Sequence, residues 1–253
     1  GQIMFRRATG LGYLRFLRKL HAKYMFDWYL EVGCRDGRSF APVRSKTVAV
    51  DPFFLAEQNI IGEKPALHLF QQTSDDFFAS GFLRLNKIKL SVSFLDGMHR
   101  IEYLLRDFIA AEKASHPDGV ILMHDTNPHN LMMTTRFFED ITDGSRGWTG
   151  DVWKILPILQ KFRPDLTVTM LDSKPTGLLM VTGLDPKNTV LKRKYEAICA
   201  QYQEVLLQDY GVERFFDSFE HVSAEEVAEA GFVMFEKVSI SPSAQATRQW
   251  MSP

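Results

Sequence analysis

Five short apolar runs punctuate the first half of the chain: WYLEV (28–32), TVAVD (47–51), ALHLF (66–70), LSVSFLD (90–96) and GVILMHD (119–125). Each is rich in β-branched or aromatic residues and has no polar face, as expected of strands buried on both sides. Between the last two, IEYLLRDFIAAEKASH (101–116) repeats Ile101, Leu104, Leu105, Phe108 and Ile109 at helical spacing and ends before Pro117 and Gly119. Residues 11–24 place Leu14, Leu17 and Leu20 three apart among basic residues, the pattern of an amphipathic helix. Strand, helix, strand alternation predicts a mostly parallel sheet covered by helices. In such sheets ligands bind beyond the carboxyl ends of the strands.

Past residue 125 the pattern changes. NPHNLMMTTRFFED and ITDGSRG are polar, and TGDVWKILPILQKF (149–162) is helical but interrupted by Pro157, so residues 126–162 read as a lid or acceptor region. LTVTMLD (166–172) and TGLLMVTG (176–183) predict an antiparallel pair closing the sheet edge. Leu191, Tyr195, Ile198, Tyr202 and Val205 then recur in a 4-3-4-3 rhythm, predicting one helix over 187–210. Its narrow apolar seam is expected to dock on the chain's own sheet, with a homodimer seam as the alternative.

The composition narrows the function classes. With 45% hydrophobic and 24% charged residues, the 253-residue chain can bury a full core. Thirty Lys and Arg against thirty-one Asp and Glu leave a formal charge of −1, so no basic field exists to gather nucleic acid or anionic lipid, and a small-molecule partner is expected. Cys34 and Cys199 are too few for a disulfide framework, and no apolar run reaches the length of a membrane span, so the chain reads as cytoplasmic. The organisation expected is an N-terminal helical segment (1–25), a catalytic domain (26–185) and a C-terminal helical extension and tail (186–253).

The chemistry-bearing residues cluster at strand ends. The first strand runs into Glu31-Val-Gly33-Cys34-Arg-Asp-Gly37, a turn whose glycines let the backbone approach a ligand. The second strand ends in Asp51, placed to accept ribose hydroxyls, a kind of hydrogen bond that contributes about 1.5–3 kcal/mol. A nicotinamide dinucleotide would want Gly-x-Gly-x-x-Gly around its pyrophosphate, but Cys34, Arg35 and Asp36 occupy those places. Glu31 and Asp36 would repel phosphate and suit a cationic ligand such as S-adenosylmethionine.

At these residues the chain resembles the class I S-adenosylmethionine-dependent methyltransferases, with Glu31-x-Gly33-x-x-x-Gly37 as first motif and Val48-Ala-Val-Asp51 as second. FLDGMHRIEYLLRDFIAAEKASHPDGVILMHD (94–125) and GDVWK (150–154) narrow the resemblance to the macrocin-type O-methyltransferases. Two departures are the absence of further glycines in the first motif and His124 at an acidic position of that subfamily's metal site. The resemblance implies an α/β fold, a Rossmann-like doubly wound, mostly parallel sheet ordered 3-2-1-4-5-7-6 with an antiparallel edge strand, plus N-terminal and C-terminal helices. It assigns Glu31, Gly33, Cys34, Gly37 and Asp96 to the methionine end of the cofactor, Asp51 to the ribose, and Thr73, Ser74 and Asp75 to the adenine. The last three equally form a helix N-cap.

The sulfonium methyl is already activated, so the protein must align an acceptor and remove its proton. His99, three residues beyond Asp96, is the natural base. An aliphatic hydroxyl is poorly matched to imidazole, and a divalent cation such as Mg, held by Asp96 and Asp125, would lower its pKa. His124 and Asn127 compete as third ligand, because consecutive strand residues point to opposite faces unless a turn begins there. His129 reads as an acceptor contact, and Trp148 and Trp153 as stacking or core residues. The expected activity is methyl transfer to a hydroxyl of a saccharide or secondary metabolite. The alternatives are a metal-independent N-methyltransferase and a non-catalytic cofactor-binding module.

Overall fold

The computed structural model describes residues 4–144 and 147–240; Ser145 and Arg146 of the ITDGSRG segment and the tail 241–253 lie outside the described residues. Seven strands form one sheet: β1 (Trp28–Val32), β2 (Lys46–Asp51), β3 (Leu67–Gln71), β4 (Leu90–Leu95), β5 (Ser115–His124), β6 (Thr167–Leu171) and β7 (Leu178–Thr182). Their order is β3-β2-β1-β4-β5-β7-β6, as the resemblance implied. β1 pairs in parallel with both β2 and β4, which makes it the centre of the switch between the two halves. The antiparallel strand expected at the edge is β7. It lies one position in, pairing with β5 and β6, and β6 forms the edge.

The strands are apolar throughout because both faces are covered. Leu30, Val32, Val48 and Val50 face one core layer, while Tyr29, Ala49, Val92 and Phe94 face the other. Ten helices flank the sheet among the described residues: α1 (Tyr13–Lys23), α2 (Ser74–Ala79), α3 (Phe82–Leu85), α4 (Ile101–Lys113), α5 (Ile155–Phe162), α6 (Val190–Arg193), α7 (Tyr195–Tyr202), α8 (Leu207–Tyr210), α9 (Val212–Asp217) and α10 (Ala224–Glu229). α1 buries Phe16, Leu17 and Leu20 with Ala224, Phe232 and Phe235 from the chain's end, so both terminal segments pack on the same sheet face. No helix among the described residues is long and apolar enough to cross a membrane.

Two expectations for the second half are corrected. The region over 149–162 is not a lid: Trp153, Ile155, Leu156, Ile158 and Leu159 are fully buried core residues. Pro157 does not interrupt a helix, because α5 begins at Ile155 and proline is tolerated in the first turn, where its missing N–H has no intrahelical acceptor. The single helix expected over 187–210 is three short ones. α7 ends at Tyr202, and the Gln203 carbonyl beyond it accepts from the buried Lys154 Nζ at 3.0 Å, which turns the chain inward before Leu207. Leu191, Ile198 and Tyr202 of the seam lie in the chain's own core, with Tyr195 partly buried against it.

Candidate functional site

The tips of β1 and β2 form a closed, self-braced loop. The Gly33 N–H donates to the Val50 carbonyl at 2.9 Å and the Asp96 N–H to the Val32 carbonyl at 2.8 Å, tying three strand ends together. Gly33 has φ +85°, and a Cβ there would stand 1.8 Å from the Asp96 carbonyl oxygen, so only glycine allows this crossing. Asp51 accepts from the Arg35 N–H at 2.8 Å and the Phe53 N–H at 2.7 Å, so its carboxylate holds the loop that follows β1. Glu31 is wholly buried beneath the loop, with Ser39 Oγ donating at 2.5 Å and Tyr29 OH at 2.6 Å. Burial pushes its carboxyl up to about 7, against the hydrogen bonds that favour its charge. The Cys34 thiol is buried in the core layer below, directed at the Glu31 and Val50 carbonyls, while Gly37 closes the turn to the Cys34 carbonyl.

At the β3 tip the three adenine candidates each have a partner within the chain. Thr73 caps α2 by accepting from the Asp76 N–H, Ser74 Oγ donates to Asp107 Oδ1 at 2.6 Å, and Asp75 pairs with Arg106 at 2.8 Å. Asp107, on α4, is buried, and burial raises its carboxyl to about 7 despite the Ser74 bond. Its other oxygen lies 3.5 Å from where a Cβ on Gly97 would sit, so Asp107 stands close to the turn carrying Asp96 and His99.

The tips of β4 and β5 are different in kind. Asp96, His124 and Asp125 bring one ligand atom each within 4.8 Å of one another. His124 Nδ1 is 3.6 Å from Asp96 Oδ1 and 3.4 Å from Asp125 Oδ2, and His99 Nε2 is 3.5 and 3.2 Å from the same two oxygens. Asp125 has φ +64°, a left-handed residue immediately after β5. This is the turn that lets two consecutive side chains reach one point. Asn127 is not part of the cluster: its amide donates to the Arg6 carbonyl at 3.0 Å and its oxygen accepts from His221 Nε2.

Two imidazoles so close to carboxylates have their protonation set by them. Burial opposes charge on His124, but Asp125 and Asp96 outweigh it and push the imidazole up to about 10. The same contest raises His99 to about 9, through its contact with Asp96 at 3.5 Å and the charges of Asp125 and Asp96. Asp125 is held down at about 2 against its burial by His124, His99 and a 2.6 Å bond donated by Thr176 Oγ1.

His99 is aimed by the GDVWK segment. Its Nδ1 lies 2.9 Å from the Trp148 carbonyl, and its own carbonyl accepts from the Asp151 N–H at 3.2 Å. A Cβ on Gly150 would stand 1.6 Å from that carbonyl oxygen, which explains the glycine. Asp151 Oδ1 accepts from the Ile101 N–H at 2.8 Å, tying down the start of α4, while Arg136 bridges Asp151 and Glu102. The Trp148 ring stands 5.2 Å from His99, whereas Trp153 packs on Tyr210 and Phe215 in the core. His129 is half-buried and lies within the field of Arg7, which with burial lowers its pKa.

Three residues of this site carry no sequence signal of their own. Tyr13, from α1, stacks on His124 with ring centroids 3.9 Å apart; Thr176 reaches the cluster from the β6–β7 turn; Asp107 resembles any helix-surface acid. Each is brought in by tertiary contact across 50 or more residues or from a different layer. Only an acid out of place within an apolar helical stripe would have flagged Asp107.

No protein family profile and no curated protein sequence matches the chain. Among solved structures it is similar to the O-methyltransferase TomG from Streptomyces achromogenes, in complex with SAM, at 17% identity over 67% of this chain and 77% of that one, with a TM-score of 0.46. It is also similar to an O-methyltransferase from Bacillus cereus in complex with SAH, at 15% identity over 66% and 79%, with a TM-score of 0.47. The MycE methyltransferase of the mycinamycin biosynthetic pathway, in complex with Mg, SAH and mycinamycin VI, is 14% identical over 70% of this chain and 49% of that one, with a TM-score of 0.44. Likenesses of this size say nothing about a shared substrate.

Proposed function

We propose that the chain is an S-adenosylmethionine-dependent O-methyltransferase acting on a hydroxyl of a small acceptor. The observation that supports this reading is the meeting of the Gly33 loop with the Asp96 turn, where the Asp96 N–H donates to the Val32 carbonyl, beside the cluster of His99, Asp96 and Asp125. Asp51 and the Gly33–Gly37 backbone hold the nucleoside and its methionine portion on one side. His99 stands at the other with Nδ1 fixed on the Trp148 carbonyl, so Nε2 is the atom that takes the acceptor proton. The exposed Phe138, its ring 6.1 Å from that of the half-buried Trp148, gives the acceptor side an apolar surface suited to a saccharide face or an aromatic ring.

The residues present fit a divalent cation. Asp96 Oδ1 and His124 Nδ1 are buried and without hydrogen-bond partners, and Asp96, His124 and Asp125 are the residues that would hold the ion. When bound, the ion supplies Lewis acidity that lowers the acceptor hydroxyl's pKa. A cation held there would also compensate the Asp96 and Asp125 charges that help to raise the His99 pKa, favouring the neutral imidazole a base requires.

Calorimetry with S-adenosylhomocysteine and with NAD tests the reading. Binding of the methionine nucleoside and none of NAD is expected; the reverse preference would overturn it. Mass spectrometry under native conditions should show the same nucleoside retained through purification.

A further inference from the structure

The two carboxylates by themselves would suit magnesium, which takes oxygen donors in near-octahedral geometry and keeps much of its water. The third donor is a nitrogen, and its surroundings decide its protonation. His124 Nε2 faces Thr176 Oγ1 at 3.4 Å, and that hydroxyl gives its own proton to Asp125 Oδ1 at 2.6 Å. The threonine oxygen can therefore only accept from the ring, which puts the imidazole proton on Nε2. In the neutral ring Nδ1 is then the lone pair a metal ion would take, and that atom is buried and without a hydrogen-bond partner.

That lone pair faces two more acceptors, Asp96 Oδ1 at 3.6 Å and Asp125 Oδ2 at 3.4 Å. Two carboxylate oxygens and an imidazole nitrogen converging at this distance are held together by a positive charge between them, either a metal ion or a proton on the ring. Ligand bonds of about 2.0–2.2 Å separate neighbouring donors by roughly 2.8–3.6 Å, and the 3.6 and 3.4 Å from His124 Nδ1 to the two carboxylate oxygens lie in that range. The His124 ring is also fixed from both sides, by Tyr13 stacked on its face and Thr176 at its far nitrogen, in the manner of a metal-ligating histidine whose second nitrogen is oriented by a neighbour. His99 stands beside this set. Its side chain is 26% exposed against 7% for His124, and it opens toward the acceptor side.

We propose that Asp96, His124 and Asp125 form a site selective for a first-row transition dication of the cobalt-to-zinc kind over magnesium, with His124 Nδ1 as the selecting ligand. Imidazole nitrogen is a borderline donor that such ions bind more strongly than magnesium does, and one nitrogen among oxygens is enough to tilt the choice. The inference rests on the proposed cation site but not on methyl transfer, and its test needs neither cofactor nor acceptor.

The full chain, stripped by chelator, is titrated with Co²⁺ while its visible absorption is followed, and with Co²⁺ and Mg²⁺ by calorimetry. One equivalent of Co²⁺ should bind at least about 100-fold more tightly than Mg²⁺, and His124→Asp should cut that ratio by at least about tenfold. His99→Ala should leave Co²⁺ binding within about threefold, because it removes no ligand. Magnesium binding as tightly as cobalt, an unchanged ratio in a folded His124→Asp variant, or loss of cobalt in His99→Ala would each overturn the assignment. Failure of both ions to bind would overturn it as well, and would mean that protons hold the cluster together as imidazolium–carboxylate pairs. Should His124→Asp fail to fold, the parent's own Co²⁺ to Mg²⁺ ratio decides. Failure of S-adenosylhomocysteine to bind the same preparation would count against the methyltransferase reading alone.

Discussion

The tips of β1, β2 and β3 and the tips of β4 and β5 lie along one edge of the sheet, yet they treat their polar groups in opposite ways. In the first region every candidate carboxylate is committed within the chain: Glu31 to Ser39 and Tyr29, Asp51 to two backbone N–H groups, Asp75 to Arg106. In the second, Asp96 Oδ1 and His124 Nδ1 face each other without partners. Satisfied groups fix the shape of the loop and leave its backbone and spare lone pairs as what a ligand would meet. Unsatisfied groups are costly in the folded state and are retained where a ligand or a reacting atom will complete them.

The sharpest break of this contrast is Gly33→Ala. A Cβ at φ +85° and 1.8 Å from the Asp96 carbonyl cannot be accommodated by moving a side chain. It should cost about 4 kcal/mol or more, seen as a large drop in urea midpoint, because the loop is shape and nothing else. Retained stability would show that the loop can open freely. On the other side, His99→Ala should fold normally and bind S-adenosylhomocysteine as the parent does, while turnover falls by roughly 10²–10⁴-fold. Unchanged turnover with a verified acceptor would remove His99 as base.

Asp107 sharpens the comparison through pH. Its carboxyl is raised to about 7 by burial, so the folded state holds the proton more tightly than the unfolded chain, whose aspartates titrate near the usual carboxylate range. The stability it contributes is full below the unfolded pKa and is lost as pH rises through about 7. Asp107→Asn keeps the acceptor for Ser74 and removes the charge, so it should match the parent near pH 4 and exceed it by a few kcal/mol at pH 8. Parallel stability curves for the two proteins would mean that the carboxylate is solvated or compensated. The smallest effect is expected for Asp51→Ala, a loss of about 2 kcal/mol, roughly 30-fold, in nucleoside affinity. A purely structural Asp51 would instead lower stability and leave the affinity of the folded fraction unchanged.

Much of the fold was legible because strands buried on both faces leave an unbroken apolar signature. WYLEV matches β1 residue for residue, and the other four early runs coincide with β2 to β5 within a few positions. The helix over 187–210 was misjudged because a local rhythm of apolar residues cannot show that Lys154, far away in sequence, takes a carbonyl at its middle. Pro157 misled for a similar reason: whether proline breaks or begins a helix depends on where the first turn starts.

Sequence alone determined the strand-end placement of Glu31, Gly33, Asp51, Asp96, His99, His124 and Asp125, since each follows or closes an apolar run whose length and composition are local properties. It could not choose between His124 and Asn127, nor identify Tyr13 and Thr176 as neighbours of His124 or Asp107 as the partner of Ser74. Those choices belong to the tertiary structure. The left-handed turn at Asp125 swings two consecutive side chains to one point, and α1 and the β6–β7 turn fold over them from opposite ends of the chain. Convergence of this kind is set by packing between layers, where the energy depends on which distant groups meet.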